Sequence, residues 1–130
     1  MNLAHKLIIA CIMLILPLQS MAQEKQNLRL YNDKTKAYDS LSFVKINKAW
    51  VSESCAKKST CSALTALKKK VTIKPNESGF FGNPGSAYCL SQGGVARILK
   101  DAKNSEYDYC LFPDGSMIDS WNMYYAHHEK

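Results

Sequence analysis

Residues 83–94 read Asn-Pro-Gly-Ser-Ala-Tyr-Cys-Leu-Ser-Gln-Gly-Gly, and this stretch carries the clearest fold signal in the chain. Asn83 is a favourable residue to cap a helix. Pro84 follows at the first helical position, where its missing N–H costs nothing. The pattern predicts a helix over Pro84–Gln92, ended by Gly93-Gly94, with one glycine taking positive φ just past the last turn. Ala87, Cys89 and Leu90 are expected to face inward. Working outward, Val95–Lys100 is β-rich and runs into a polar turn at 101–105. Tyr107–Phe112 reads as a second strand. Phe112-Pro113-Asp114-Gly115 is tight-turn chemistry, with proline pre-setting φ and glycine accepting a positive one. Met117–Tyr124 then returns as a third strand or a short helix. The fold class expected is α+β: a small disulfide-stapled unit of one helix packed on a three-stranded antiparallel sheet.

The other end of the chain reads as an address. Lys6 gives a positive start, and Leu7–Leu18 is an apolar run interrupted by Pro17. Ser20-Met21-Ala22 is a small-x-small cleavage site, so residues 1–22 are expected to be a signal peptide. The run is too short for a membrane-spanning helix of about 20 residues. Ile8-Ile9-Ala10-Cys11 loosely matches a lipidation box, but the apolar run continues beyond Cys11 instead of ending there. The expected location is secreted or periplasmic, with no transmembrane segment left after cleavage.

Export leaves four cysteines, Cys55, Cys61, Cys89 and Cys110. An even number in an oxidising compartment reads as two disulfides. A four-thiolate zinc site is the alternative, and neither pair has the spacing of a zinc knuckle. Of three possible pairings, Cys55–Cys61 with Cys89–Cys110 joins nearest neighbours. The second bond would staple helix to sheet and contribute roughly 3 kcal/mol by chain entropy. A unit this small needs such help, because its core alone is marginal.

Charge divides the exported chain. Residues 23–76 hold 12 basic and 4 acidic side chains, whereas 77–130 hold 4 basic and 7 acidic. The break falls on Pro75-Asn76-Glu77-Ser78-Gly79, a turn-rich run. The organisation expected is a basic N-terminal segment, 23–78, followed by a small domain at 79–130. In the basic segment, Leu28–Tyr31, Leu41–Ile46 and Trp50-Val51 are β-rich and suit a hairpin. Ser59 or Thr60 is placed to cap a helix through Ala63–Lys70. Val71–Ile73 reads as a short strand. Lys57-Lys58 and Lys68-Lys69-Lys70 are the charge runs: a solvated face, or contacts to an anionic surface. Nucleic acid is not expected, since no recognition motif accompanies them.

The motif residues resemble a known family. Asn83–Cys89, Gln92-Gly93-Gly94, Tyr109-Cys110, Pro113–Ser116 and Trp121 are similar to a small bacterial envelope domain of unknown function that carries a hemolysin label. That family runs NPAS-x-YC, then GG, G-x-C, PDGS and C-x-EW. Here Gly85 replaces the usual Ala, Ile118 stands where another Cys is common, and Ser120 precedes the Trp in place of Glu. The resemblance covers residues 83–125 and implies an exported domain of unestablished activity.

Chemistry is harder to find. His127 and His128 are adjacent near the chain end, and neighbours in extended chain point to opposite faces. No serine or cysteine has an identifiable base. A hydrolase acting through Asp119 and His127 is the weakest option. No catalytic residue, metal or cofactor is expected. Tyr88, Tyr107, Tyr109, Phe112, Trp121, Tyr124 and Tyr125 form an aromatic cluster that reads as small-sheet core. Exposed members among Tyr107, Tyr109 and Trp121 would offer a binding face for an envelope protein or glycan. The expected function is therefore a non-catalytic binding or accessory module of the envelope. The alternative is a membrane-active hemolysin-like protein, although no amphipathic helix long enough to insert is visible.

Overall fold

The computed structural model describes residues 22–73 and 82–129. The leader expected at residues 1–22 lies outside them except for Ala22, as do Cys11 and the turn-rich run at 75–79. Three strands come first: β1 (Lys25–Asn32), β2 (Ala37–Ile46) and β3 (Ala49–Ser52). Two short helices follow, α1 (Glu53–Lys58) and α2 (Ser62–Lys68). The second half gives α3 (Pro84–Ser91), β4 (Val95–Lys100), β5 (Glu106–Leu111), β6 (Met117–Asp119) and α4 (Ser120–Tyr125).

The six strands form one closed antiparallel barrel in the order β1-β2-β3-β6-β5-β4. This corrects the expected α+β unit of one helix on a three-stranded sheet. The meander β4-β5-β6 exists, but both of its edges are taken. β6 pairs with β3 at Val51↔Ile118, and β4 pairs with β1 at Arg29↔Lys100. The physical reason is the edge itself, since a free strand presents unpaired N–H and C=O groups and closure removes them. The basic segment is what supplies the closing strands. Local patterns find hairpins, and seams this short leave little trace in sequence.

The hairpins obey local rules. Leu28↔Leu41 and Tyr31↔Tyr38 sit opposite each other in β1 and β2. Asn47 and Lys48 join β2 to β3 with φ of 48° and 68°. Both central residues of a two-residue hairpin turn of that hand need positive φ, and Asn tolerates it well. Gly93 takes φ 87° after α3, and Gly115 takes φ 84° in the Pro113-Asp114-Gly115 turn. Val71–Ile73, expected as a strand, is irregular. Met117–Tyr124 is both things expected of it, a three-residue strand leading directly into a helix.

Strand alternation divides the interior in two. Leu28, Phe43, Leu99, Tyr109 and Met117 fill the barrel. Their neighbours on the opposite strand face, Val51, Cys110 and Ile118, join Cys55, Leu64, Leu67, Tyr88, Cys89, Phe112 and Met123 in a second core under the helices. β3, β5 and β6 are thus covered on both faces, as a period of two allows. Cys55–Cys61 ties α1 to α2, and Cys89–Cys110 ties α3 to β5, with Cα atoms 5.6 Å and 5.4 Å apart. Gly85, Tyr88 and Cys89 are the buried face of α3. Leu90, expected inward, is 60% exposed because that face is already filled by its helical neighbours.

Candidate functional site

The turn Phe112–Ser116 reaches across the molecule to the start of α2. Asp114 Oδ2 accepts the Ser62 N–H at 2.8 Å. Its Oδ1 accepts the Ser116 N–H at 3.0 Å and the Ser116 hydroxyl at 2.6 Å. That hydroxyl oxygen in turn accepts the Ala63 N–H at 3.0 Å. Two of the helix's unpaired donors are therefore satisfied by side chains from the other half of the chain. Desolvation alone would raise the Asp114 pKa. The hydrogen bonds from Ser116 and Ser62 outweigh it and hold the pKa at about 2.

The far end of α2 is held by α3. Tyr88 is fully buried, and its hydroxyl accepts the Val71 N–H at 3.2 Å and donates to the Lys69 carbonyl at 3.4 Å. Gln92 Nε2 donates to the Lys69 carbonyl at 2.6 Å and the Ala66 carbonyl at 3.2 Å. Between these two attachments lies an open groove of about 610 Å³, lined by Thr60, Cys61, Thr65, Lys69, Phe112 and Asp114 among others. A third junction ties α3 and α4 to β5. Asp108 Oδ2 accepts from Asn83 Nδ2 at 2.6 Å and Trp121 Nε1 at 3.0 Å. Asn83 Oδ1 meanwhile caps α3 by accepting the Ser86 N–H at 3.2 Å.

The residues proposed from sequence as a binding face are not gathered on one face. Tyr109 is interior: its ring lies 4.4 Å from that of Phe43, and its hydroxyl donates to Gln26 at 2.7 Å. Burial pushes its pKa up. Tyr107 shares the inner face of β5, is partly buried and donates to Asp101 at 3.1 Å. That hydrogen bond raises its pKa. Trp121 is in the helix layer, stacked on Tyr125 with ring centres 5.7 Å apart.

Asp119 and His127 are not joined. The Asp119 carboxylate caps α4 through Asn122 N–H at 2.8 Å, while the His127 ring lies 6.1 Å from that of Tyr88. Burial raises the Asp119 pKa, the Asn122 and Trp121 N–H bonds oppose it, and Asp108 adds to the rise. Lys57, Lys58, Lys68, Lys69 and Lys70 are exposed, and Lys57 pairs with Glu53 at 3.7 Å. Among the described residues, no three His, Cys, Asp or Glu side chains stand close enough to hold a metal ion.

A different surface emerges on the outer face of the barrel. Tyr31 and Tyr38 are 44% and 45% exposed, with rings edge-to-face at 5.3 Å. Arg29 lies over the Tyr38 ring at 5.1 Å. Ile98 is 55% exposed, two residues along β4 from the bridge between Lys100 and Arg29, as Tyr31 is along β1. These side chains cross the seam that closes the barrel. Sequence reasoning missed them because the signal needs that seam. Tyr31 and Tyr38 alone are two alternating residues of an ordinary hairpin.

The fold and its junctions define a small, disulfide-bonded β-barrel domain with a layer of short helices. Residues 81–127 match the family described as a domain of unknown function (DUF333). No curated protein and no solved structure matches the chain. The matched stretch includes α3, β4, β5, β6 and α4, while β1, β2 and β3 lie outside it. The two disulfides are consistent with a periplasmic or extracellular location. No helix among the described residues is long and apolar enough to cross a membrane.

Proposed function

We propose that this protein is an exported, non-catalytic binding module of the bacterial envelope. One observation supports the reading above others. The motif side chains are spent on holding structure, while large apolar side chains stand in solvent. Asn83, Asp108, Asp114, Ser116 and Trp121 each satisfy a cap or a junction. Tyr31, Tyr38 and Ile98 do no comparable work on the outer barrel face. Exposed apolar groups gathered across a rigid sheet mark interaction surfaces more often than reaction sites. Arg29 lies beside them, and the exposed Lys58 and Lys68–Lys70 extend the cationic character elsewhere, which favours an anionic envelope component as partner.

The test is affinity capture from envelope extract with the oxidised protein and a Tyr31→Ser, Ile98→Ser double variant. A recurrent partner retained by the first and lost by the second supports the reading. Equal capture by both defeats the assignment to this face. Dye release from anionic liposomes by the purified protein at micromolar dose would instead favour the membrane-active, hemolysin-like alternative.

A further inference from the structure

The two disulfides stand in different surroundings. Cys89 and Cys110 are both fully buried. A Cβ added at Gly94 would run into Cys110 Sγ and sit 3.1 Å from Cys89 Sγ, so no reagent reaches that side. Cys55 is also buried, at 2% exposure. Cys61, by contrast, is partly exposed and lines the open groove beside Thr60, Ser62, Thr65 and Phe112. Of the four bonded cysteines, Cys61 is the one set against open solvent.

We propose that Cys61 is a thiol-exchange site, where the Cys55–Cys61 bridge is opened and closed by an external dithiol. Partial exposure on an open groove is what makes a bonded sulfur accessible to an attacking thiolate, and Lys69 and Asp114 line that groove with it. The sequence separation of this bridge is 6 against 21 for the other bridge. The shorter loop constrains the unfolded chain less, so less of the fold depends on it. Asp114 and Ser116 hold the Ser62 and Ala63 N–H groups without help from either sulfur. The start of α2 therefore stays anchored when the bridge opens.

The exchange balances in two steps. A thiolate of the dithiol bonds to Cys61 Sγ, the Cys55–Cys61 bond breaks, and the electron pair leaves on Cys55 Sγ, which takes a proton. The second thiolate of the dithiol then attacks its own sulfur in the mixed disulfide. Cys61 departs as thiolate, with the Leu64 N–H 3.4 Å from its sulfur in the bonded state and still available to it. The dithiol is oxidised by two electrons, and the bridge is reduced by two. This proposal stands apart from the binding reading, since it concerns a different face.

The test uses the oxidised protein with dithiothreitol at neutral pH, timed acid quenching, alkylation and peptide mass mapping. Cys55 and Cys61 are expected to label about tenfold faster than Cys89 and Cys110, or more, because access sets the exchange rate. A parallel incubation with glutathione is expected to place the adduct on Cys61. Equal labelling of the two bridges, resistance of both, or an adduct on Cys55 would overturn the proposal.

Discussion

Asp114 accepts the backbone N–H of Ser62 at 2.8 Å across 52 residues of chain. It thereby works as a helix cap delivered from another hairpin. Replacing Asp114 by Ala should cost about 1–2 kcal/mol, the scale of a lost cap. Chemical denaturation of the variant checks this. The pH dependence has a definite sign. The folded pKa of about 2 lies below the reference value of 3.8, so the contribution is present above pH 4 or so and lost as pH falls through 2. An acid titration followed by circular dichroism should show this step in the parent and not in the variant.

Asp119 should behave in the opposite way. Burial raises its pKa above 3.8, so ionisation costs stability as pH rises from that value through the folded pKa. Asn keeps the cap on Asn122 and removes the buried charge. Asp119→Asn is expected to be as stable as the parent at pH 7, or more so, in thermal melts. A loss of a kilocalorie or more would show that the charge is needed.

Gly94 is fixed by what surrounds it. An added methyl would meet both sulfurs of Cys89–Cys110 and lie 3.2 Å from the Leu111 carbonyl oxygen. Gly94→Ala should cost about 3 kcal/mol, the upper range for overpacking. It should also leave free thiols at Cys89 and Cys110, countable by alkylation of the purified protein.

Tyr88→Phe removes one oxygen from the junction between α2 and α3. Val71 N–H and Gln92 Nε2 both lose an acceptor there. The cost of stranding a buried donor is about 1–3 kcal/mol. Amide exchange should localise the damage to the end of α2, with the barrel strands still protected.

The sequence announced its local structure through residues whose chemistry acts locally. Asn83 and Pro84 start α3, Gly93 ends it, and Pro113-Asp114-Gly115 turns the chain, all as short-range rules require. The cysteine pairing followed from proximity along the chain. Barrel closure did not show, because it depends on two brief seams, Arg29↔Lys100 and Val51↔Ile118. No composition signal marks a pairing so short. The same gap hid the candidate surface, since Ile98 and Tyr31 become neighbours only through one of those seams. Tyr109, a binding-face candidate only if exposed, is interior, as the core reading of the aromatic cluster has it, and its sequence context could not decide between the two for a related reason. A strand covered on both faces loses the polar-out alternation that separates interior from exterior aromatics.

Those two seams also decide what each half of the molecule can be by itself. Residues 22–73 carry one bare strand margin at each end of their sheet, and residues 82–129 carry the matching pair. The later piece also holds the acid and the phenol that grip the earlier piece's second helix. Severed, the halves are complementary fragments, each presenting the strand margins that the other leaves unpaired.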